Sequence, residues 1–105
     1  ILARRGGVWY NFIGISAQGG GGMGLRGLPN VGKVLEKNLM DVGITTPEAL
    51  QEEGACSAFL KIRAAVDPGA CLHMLYGLEG AVRGIPDAML DAETRNALRD
   101  FFASL

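Results

Sequence analysis

The stretch Ala70–Arg83, reading ACLHMLYGLEGAVR, leaves little polar surface to offer water. At about 100° per residue, Cys71, Leu72, Met74, Leu75, Leu78 and Val82 form a broad apolar arc. Gly77, Gly80 and Gly84 recur at i, i+3 and i+7 and make a second strip with almost no side chain. Between the two runs a narrow polar seam of Tyr76, Glu79 and Arg83. A helix with so little polar surface has to be buried, so this segment is expected at the centre of an α-helical domain. Each glycine inside a helix costs up to about 1 kcal/mol. Close approach of another backbone is the natural offset, and the last helix of the chain is the expected partner.

The second constraining stretch is Leu28–Ile44, LPNVGKVLEKNLMDVGI. Pro29 fixes φ and lacks an N–H, Asn30 tolerates a left-handed backbone and Gly32 adopts one freely, so the start is a tight turn. Val31, Leu35, Leu39 and Val42 then recur at helical spacing, with Lys33, Glu36, Lys37 and Asp41 largely on the other side. Gly43 is the expected left-handed cap and Ile44 its hydrophobic partner. A turn with few side chains followed at once by a helix exposes several N–H groups at the positive end of a dipole, where an anion can sit.

The remaining elements follow in order. Thr45 or Thr46 is an N-cap, Pro47 suits the first turn, and the short helix Pro47–Glu53 stops at Gly54. Ala55–Val66 is a further helix with Phe59, Ile62 and Val66 inward and Lys61 and Arg63 outward, broken by Asp67-Pro68-Gly69. After Gly84-Ile85-Pro86 and a short turn over Asp87–Leu90, Asp91 caps a last helix, Ala92–Ser104, with Leu98, Phe101 and Phe102 among its apolar positions. The reading is all-α: a single small bundle of about five helices over residues 25–105, preceded by an apolar arm and Gly-rich linker over residues 1–24. In that arm, Val8–Ile15 is too short for periodicity to distinguish strand from helix. Its Trp9, Tyr10, Phe12 and Ile13 are expected to pack on a neighbouring copy and support a homodimer.

The chain has 105 residues, 49% hydrophobic and 20% charged, enough for one modest core. No apolar run approaches the ~20 residues of a membrane helix, so no membrane partner is expected. Net charge is −1, giving no global drive toward nucleic acid. Charge is unevenly spread, however: residues 1–44 hold Arg4, Arg5, Arg26, Lys33 and Lys37 against Glu36 and Asp41, while acidic residues outnumber basic ones in the rest. Cys56 and Cys71 fall among apolar residues and read as buried thiols. One histidine and two isolated cysteines fall short of a zinc ligand set, and no other metal or cofactor is implied. Gly19–Gly22 is not followed by the Gly-Lys-Ser/Thr of a P-loop, and Ser16, Ser57 and Ser104 sit in no nucleophile motif. His73 has no catalytic partner nearby in sequence and is expected to pack, and Glu79 with Arg83 is an i,i+4 ion pair. Nothing in this set points to an enzyme.

Leu28–Ile44 resembles the hairpin and second helix of a helix-hairpin-helix motif, in degenerate form. Asn30 stands where that hairpin usually has its first glycine, and the first helix would be confined to Gly24–Leu28. Three motifs in order, LRGLPNVGKVLEKNLMDVGITTPEAL, GACSAFLKIRA and CLHMLYGLEGAVRGI, resemble the C-terminal domain of the TfoX family, also called Sxy, bacterial regulators of natural competence. The resemblance spans about Gly24 to Phe102, and residues 1–24 do not look like that family's N-terminal domain. It implies a cytoplasmic, non-enzymatic domain linked to control of DNA-uptake genes.

Two kinds of partner fit these residues. One is a DNA backbone, held weakly and without sequence preference by Asn30, Gly32, Lys33, Val34 and Lys37. The other is a protein, a regulator or a second copy, met through Trp9, Tyr10, Phe12, Tyr76 and Arg83.

Overall fold

The computed structural model describes residues 2–5, 8–11 and 24–105. Near the N-terminus, strand β1 (Leu2–Arg5) pairs antiparallel with β2 (Val8–Asn11), Leu2 opposite Asn11 and Arg5 opposite Val8. The apolar stretch that periodicity left open is therefore extended over Val8–Asn11. From Gly24 onward five α-helices carry the fold, so the main body is the small all-α bundle expected. Helix α1 is Lys33–Asp41, α2 Pro47–Glu53, α3 Ala55–Ala65, α4 Leu72–Arg83 and α5 Ala92–Ala103. Single 3-10 turns at Gly24–Gly27 and Asp87–Met89 precede α1 and α5.

The boundaries follow from local chemistry. Ile44 N–H donates to Leu39 O (2.9 Å) and Gly43 N–H to Met40 O (3.0 Å). With Gly43 at φ +86 and Ile44 buried, this is the Schellman cap expected of that pair. The same pattern closes α4, where Ile85 N–H donates to Gly80 O (2.9 Å) and Gly84 N–H to Ala81 O (3.2 Å). Thr46 is the cap of α2, its Oγ1 accepting from Ala49 N–H at 3.0 Å, with Pro47 first in the helix. Gly54 both ends α2 and begins α3 at φ +81, ψ 158, a backbone region that only glycine enters without strain.

Helix α4 is the central element, with Leu75 and the whole run Gly77–Val82 buried. Leu75, Leu78 and Val82 pack with Phe59 and Ile62 of α3, Leu39 of α1, Leu50 of α2 and Leu98 of α5. Phe102 closes one side, its ring edge-on to Phe59 at 5.9 Å.

Two packing expectations are corrected. His73 does not pack into the core: its side chain is 84% exposed, with Nε2 3.8 Å from Asp87 Oδ2. Cys71 is not buried either. It is the exposed N-cap residue of α4, because the break at Asp67–Gly69 delays the helix start to Leu72. Cys56 is half-buried.

Candidate functional site at the start of helix α1

The turn before α1 is fastened to the centre of the bundle by one side chain. Asn30 has the left-handed φ of +68 expected of it. Its Nδ2 donates to Gly77 O (3.3 Å) and to Ile85 O (3.0 Å), and its Oδ1 accepts from Asp87 N–H (3.0 Å). Two acceptors and one donor fit an amide in one orientation only. The glycine strip makes room for this clamp. A Cβ on Gly80 would collide with Asn30 Nδ2 and lie 2.6 Å from Ile85 O, and one on Gly77 would be 3.6 Å from Asn30 Cβ. The backbone approaching the strip thus belongs to the Asn30 turn and the Ile85–Asp87 return, and not to the last helix, as the spacing alone suggested. Gly84 serves instead as the left-handed cap of α4, at φ +76.

Beyond the clamp, α1 starts in the open. Gly32 is its N-cap at φ −95, ψ −170, extended and not left-handed as the sequence suggested, and no side chain caps the helix. Gly32, Lys33 and Val34 are exposed, and nothing lies within 4 Å of where a Cβ on Gly32 would be. The first N–H groups of a helix have no partner within it, so those of Gly32, Lys33 and Val34 lie on an exposed stretch at the positive end of the dipole. The cations around this end are mostly neutralised. Lys37 Nζ is 2.7 Å from Asp41 Oδ2 and Arg26 Nη1 is 3.8 Å from Glu36 Oε1. Lys33 makes no ion pair among the described residues. The sequence thus located Lys33 and Lys37 beside the turn but not the carboxylate that occupies Lys37. The i,i+4 spacing of Lys37 and Asp41 was the available signal. Asn30 keeps only its backbone for a ligand, since its amide is committed to Gly77, Ile85 and Asp87.

A second polar cluster lies between α4 and α5. Glu79 is 1% exposed and accepts from Arg83 Nε at 2.7 Å, the expected i,i+4 pair. Arg83 Nη1 also lies 3.8 Å from Asp91 Oδ1. These groups line a half-open cleft of about 270 Å³ with Glu93, Thr94, Ala97 and Leu98. The Thr94 hydroxyl beside Asp91, helped by the Arg83 charge, holds the Asp91 carboxyl below its ordinary range. On the other side, burial and then the Glu79 charge push the Cys56 thiol up to about 11. Tyr76 sits under the Arg95 guanidinium at 5.2 Å from the ring centre. Arg95 in turn donates to Asp87 O (2.7 Å) and Leu90 O (3.2 Å). Tyr76 and Arg83 are therefore half-buried parts of the α4–α5 junction, and Asp91 and Glu93 complete the cluster from residues that the sequence marked only as a helix start. Trp9 and Tyr10 lie in β2, and Phe12 falls outside the described residues.

Among the described residues no group of three or more His, Cys, Asp or Glu is placed to hold a metal ion. No helix there is long and apolar enough to cross a membrane.

Fold and site together define a small helical domain with an outward-facing helix start keyed to a buried central helix. The family described as the TfoX C-terminal domain matches residues 22–102, and the chain belongs to it. Two crystal structures of Listeria monocytogenes proteins are similar. An uncharacterised protein in a triclinic form is 44% identical, with a TM-score of 0.75, over 77% of this chain and 91% of that one. A protein of unknown function in a tetragonal form is 45% identical, with a TM-score of 0.74, over 76% of this chain and 96% of that one. No curated protein matches.

Proposed function

We propose that this domain is a non-enzymatic regulatory module that holds a nucleic-acid backbone phosphate at the start of α1. The observation that carries the reading is the uncapped helix start at Gly32, with Lys33 beside it and open space where a Cβ on Gly32 would be. The Asn30 clamp supports it, because a turn bonded at three points to α4 and its return loses little freedom on binding. A phosphate would be met by the N–H groups of Gly32, Lys33 and Val34, flanked by Lys33 and Lys37. Such contacts position a duplex without reading its bases. Titration of a labelled DNA duplex at two salt concentrations tests this. The expected slope of log K against log salt is about −2 for two lysines, with Kd in the ~10⁻⁴–10⁻⁶ M range of non-specific binding. Lys33→Glu with Lys37→Glu abolishes it. Absence of binding at low salt refutes the phosphate reading.

A second reading, a protein-interaction module, rests on a different observation. Val34 is 72% and Met40 52% exposed on the same helix, apolar area that a phosphate leaves uncovered. In that reading DNA does not bind at any salt concentration.

A further inference from the structure

We infer that a second copy of this chain is the partner of the α4–α5 cleft, which receives Lys33 and Val34 from the exposed start of α1. The cleft has two parts with different chemistry. Leu98, which is buried, and Ala97 supply apolar wall, while Asp91 and Glu93 supply exposed carboxylates. Arg83 offsets only part of that charge, since it already lies 2.7 Å from Glu79 and 3.8 Å from Asp91, and Glu93 makes no ion pair among the described residues. An apolar wall below a carboxylate edge suits a side chain with an apolar stem and a cationic head. The cleft volume of about 270 Å³ gives room for inserted side chains and not for a whole helix.

Lys33 has the matching chemistry. It is exposed and makes no ion pair among the described residues of its own copy, and Val34 beside it is the most exposed large apolar side chain among them. The charge division along the sequence agrees, with the excess of basic residues before residue 45 and of acidic residues after it. Complementary patches on one chain favour association between copies. Only peripheral charges and modest apolar area are involved, so the association is weak and salt-sensitive.

Sedimentation equilibrium of the full chain without nucleic acid tests the inference. The wild-type mass should rise with concentration up to about 1 mM, the scale of a −4.1 kcal/mol contact. It should fall back toward the monomer in about 1 M salt, where the Debye length is about 3 Å. Lys33→Glu and Glu93→Lys should each give a monomer. Mixing the two variants should restore association, because the unaltered Lys33 of the Glu93→Lys copy then meets the unaltered cleft of the Lys33→Glu copy, and the acidic α1 of the second can meet the basic cleft of the first. Thermal unfolding of each variant checks that both exposed substitutions leave the fold intact. A wild-type monomer at about 1 mM in low salt overturns the inference, as does association indifferent to the reversals or a mixture that stays monomeric. Because no DNA is present, failure here is separate from failure of phosphate binding.

Discussion

The amide of Asn30 occupies the volume that a side chain on Gly80 would fill, although the two residues lie on the first turn and the central helix of the bundle. Gly80→Ala therefore has two opposed effects. Alanine favours the helix by up to about 1 kcal/mol, but its Cβ meets a backbone carbonyl, Ile85 O, at 2.6 Å; that carbonyl accepts from Asn30 Nδ2 and the N–H of the same residue is bonded into the helix cap, so it cannot retreat cheaply. Overpacking of this kind costs ~1–3 kcal/mol, so the net change is destabilising. Gly77→Ala is the control. Its nearest contact, Asn30 Cβ at 3.6 Å, is ordinary, and the variant should be neutral or up to about 1 kcal/mol more stable. Urea midpoints of the two variants should move in opposite directions or, at the least, by clearly different amounts.

Asn30→Gly separates the clamp from the backbone conformation. Glycine keeps φ +68 without strain, so the loss measures the three hydrogen bonds. At about 0.5–1.5 kcal/mol each, and toward the low end because the site is at the surface, the cost is ~1.5–3 kcal/mol. Hydrogen exchange of the Asp87 N–H, which donates to Asn30 Oδ1, should accelerate in the variant more than exchange in α2.

Asp41→Asn releases Lys37 from its 2.7 Å partner. If α1 holds a phosphate, the affinity for duplex DNA at low salt should rise about twofold, the scale of an exposed i,i+4 pair worth ~0.3–0.5 kcal/mol. Anisotropy titrations of this variant and of Lys33→Glu should shift in opposite senses. A variant no tighter than wild type argues that Lys37 takes no part.

The two thiols should differ in reactivity. Cys71 is exposed and Cys56 half-buried with its pKa raised to about 11, so at pH 8 only about one Cys56 in a thousand is thiolate. Brief treatment with iodoacetamide, followed by peptide mass spectrometry, should find Cys71 modified and Cys56 spared. The same shift sets an alkaline limit. The folded pKa lies above the ordinary value of 9.0, so the unfolded chain gives up this proton first. Stability from the protonated thiol is then complete below about pH 9 and lost progressively toward pH 11. Cys56→Ala should flatten that part of the stability profile.

Much of the helical framework was legible because its signals are local. Thr46, Pro47 and Glu48 announce α2 within one turn, Gly43 and Ile44 end α1 by a bond spanning five residues, and Glu79 and Arg83 are one turn apart. What the glycine strip receives was not legible, since a strip records only that something comes close. The answer lay in Asn30, more than forty residues earlier, at a position the sequence marked for turn conformation alone. Periodicity alone places His73 and Cys71 inside, but it does not register that the first turn of α4 follows the break at Asp67–Gly69, where both are exposed. At the candidate site, Lys33 could be identified from spacing, whereas Asp91 and Glu93 gained meaning only when α5 was laid against α4.

The sequence separations of the clamp, 47, 55 and 57 residues, also bear on the order of folding. The turn that orients α1 emerges from the ribosome well before its anchors at Gly77, Ile85 and Asp87. Contacts this distant form only after the intervening chain has closed on itself. A nascent chain that ends before Asp87 cannot hold α1 in its final attitude, so this surface reaches its final shape only once the C-terminal third has been made.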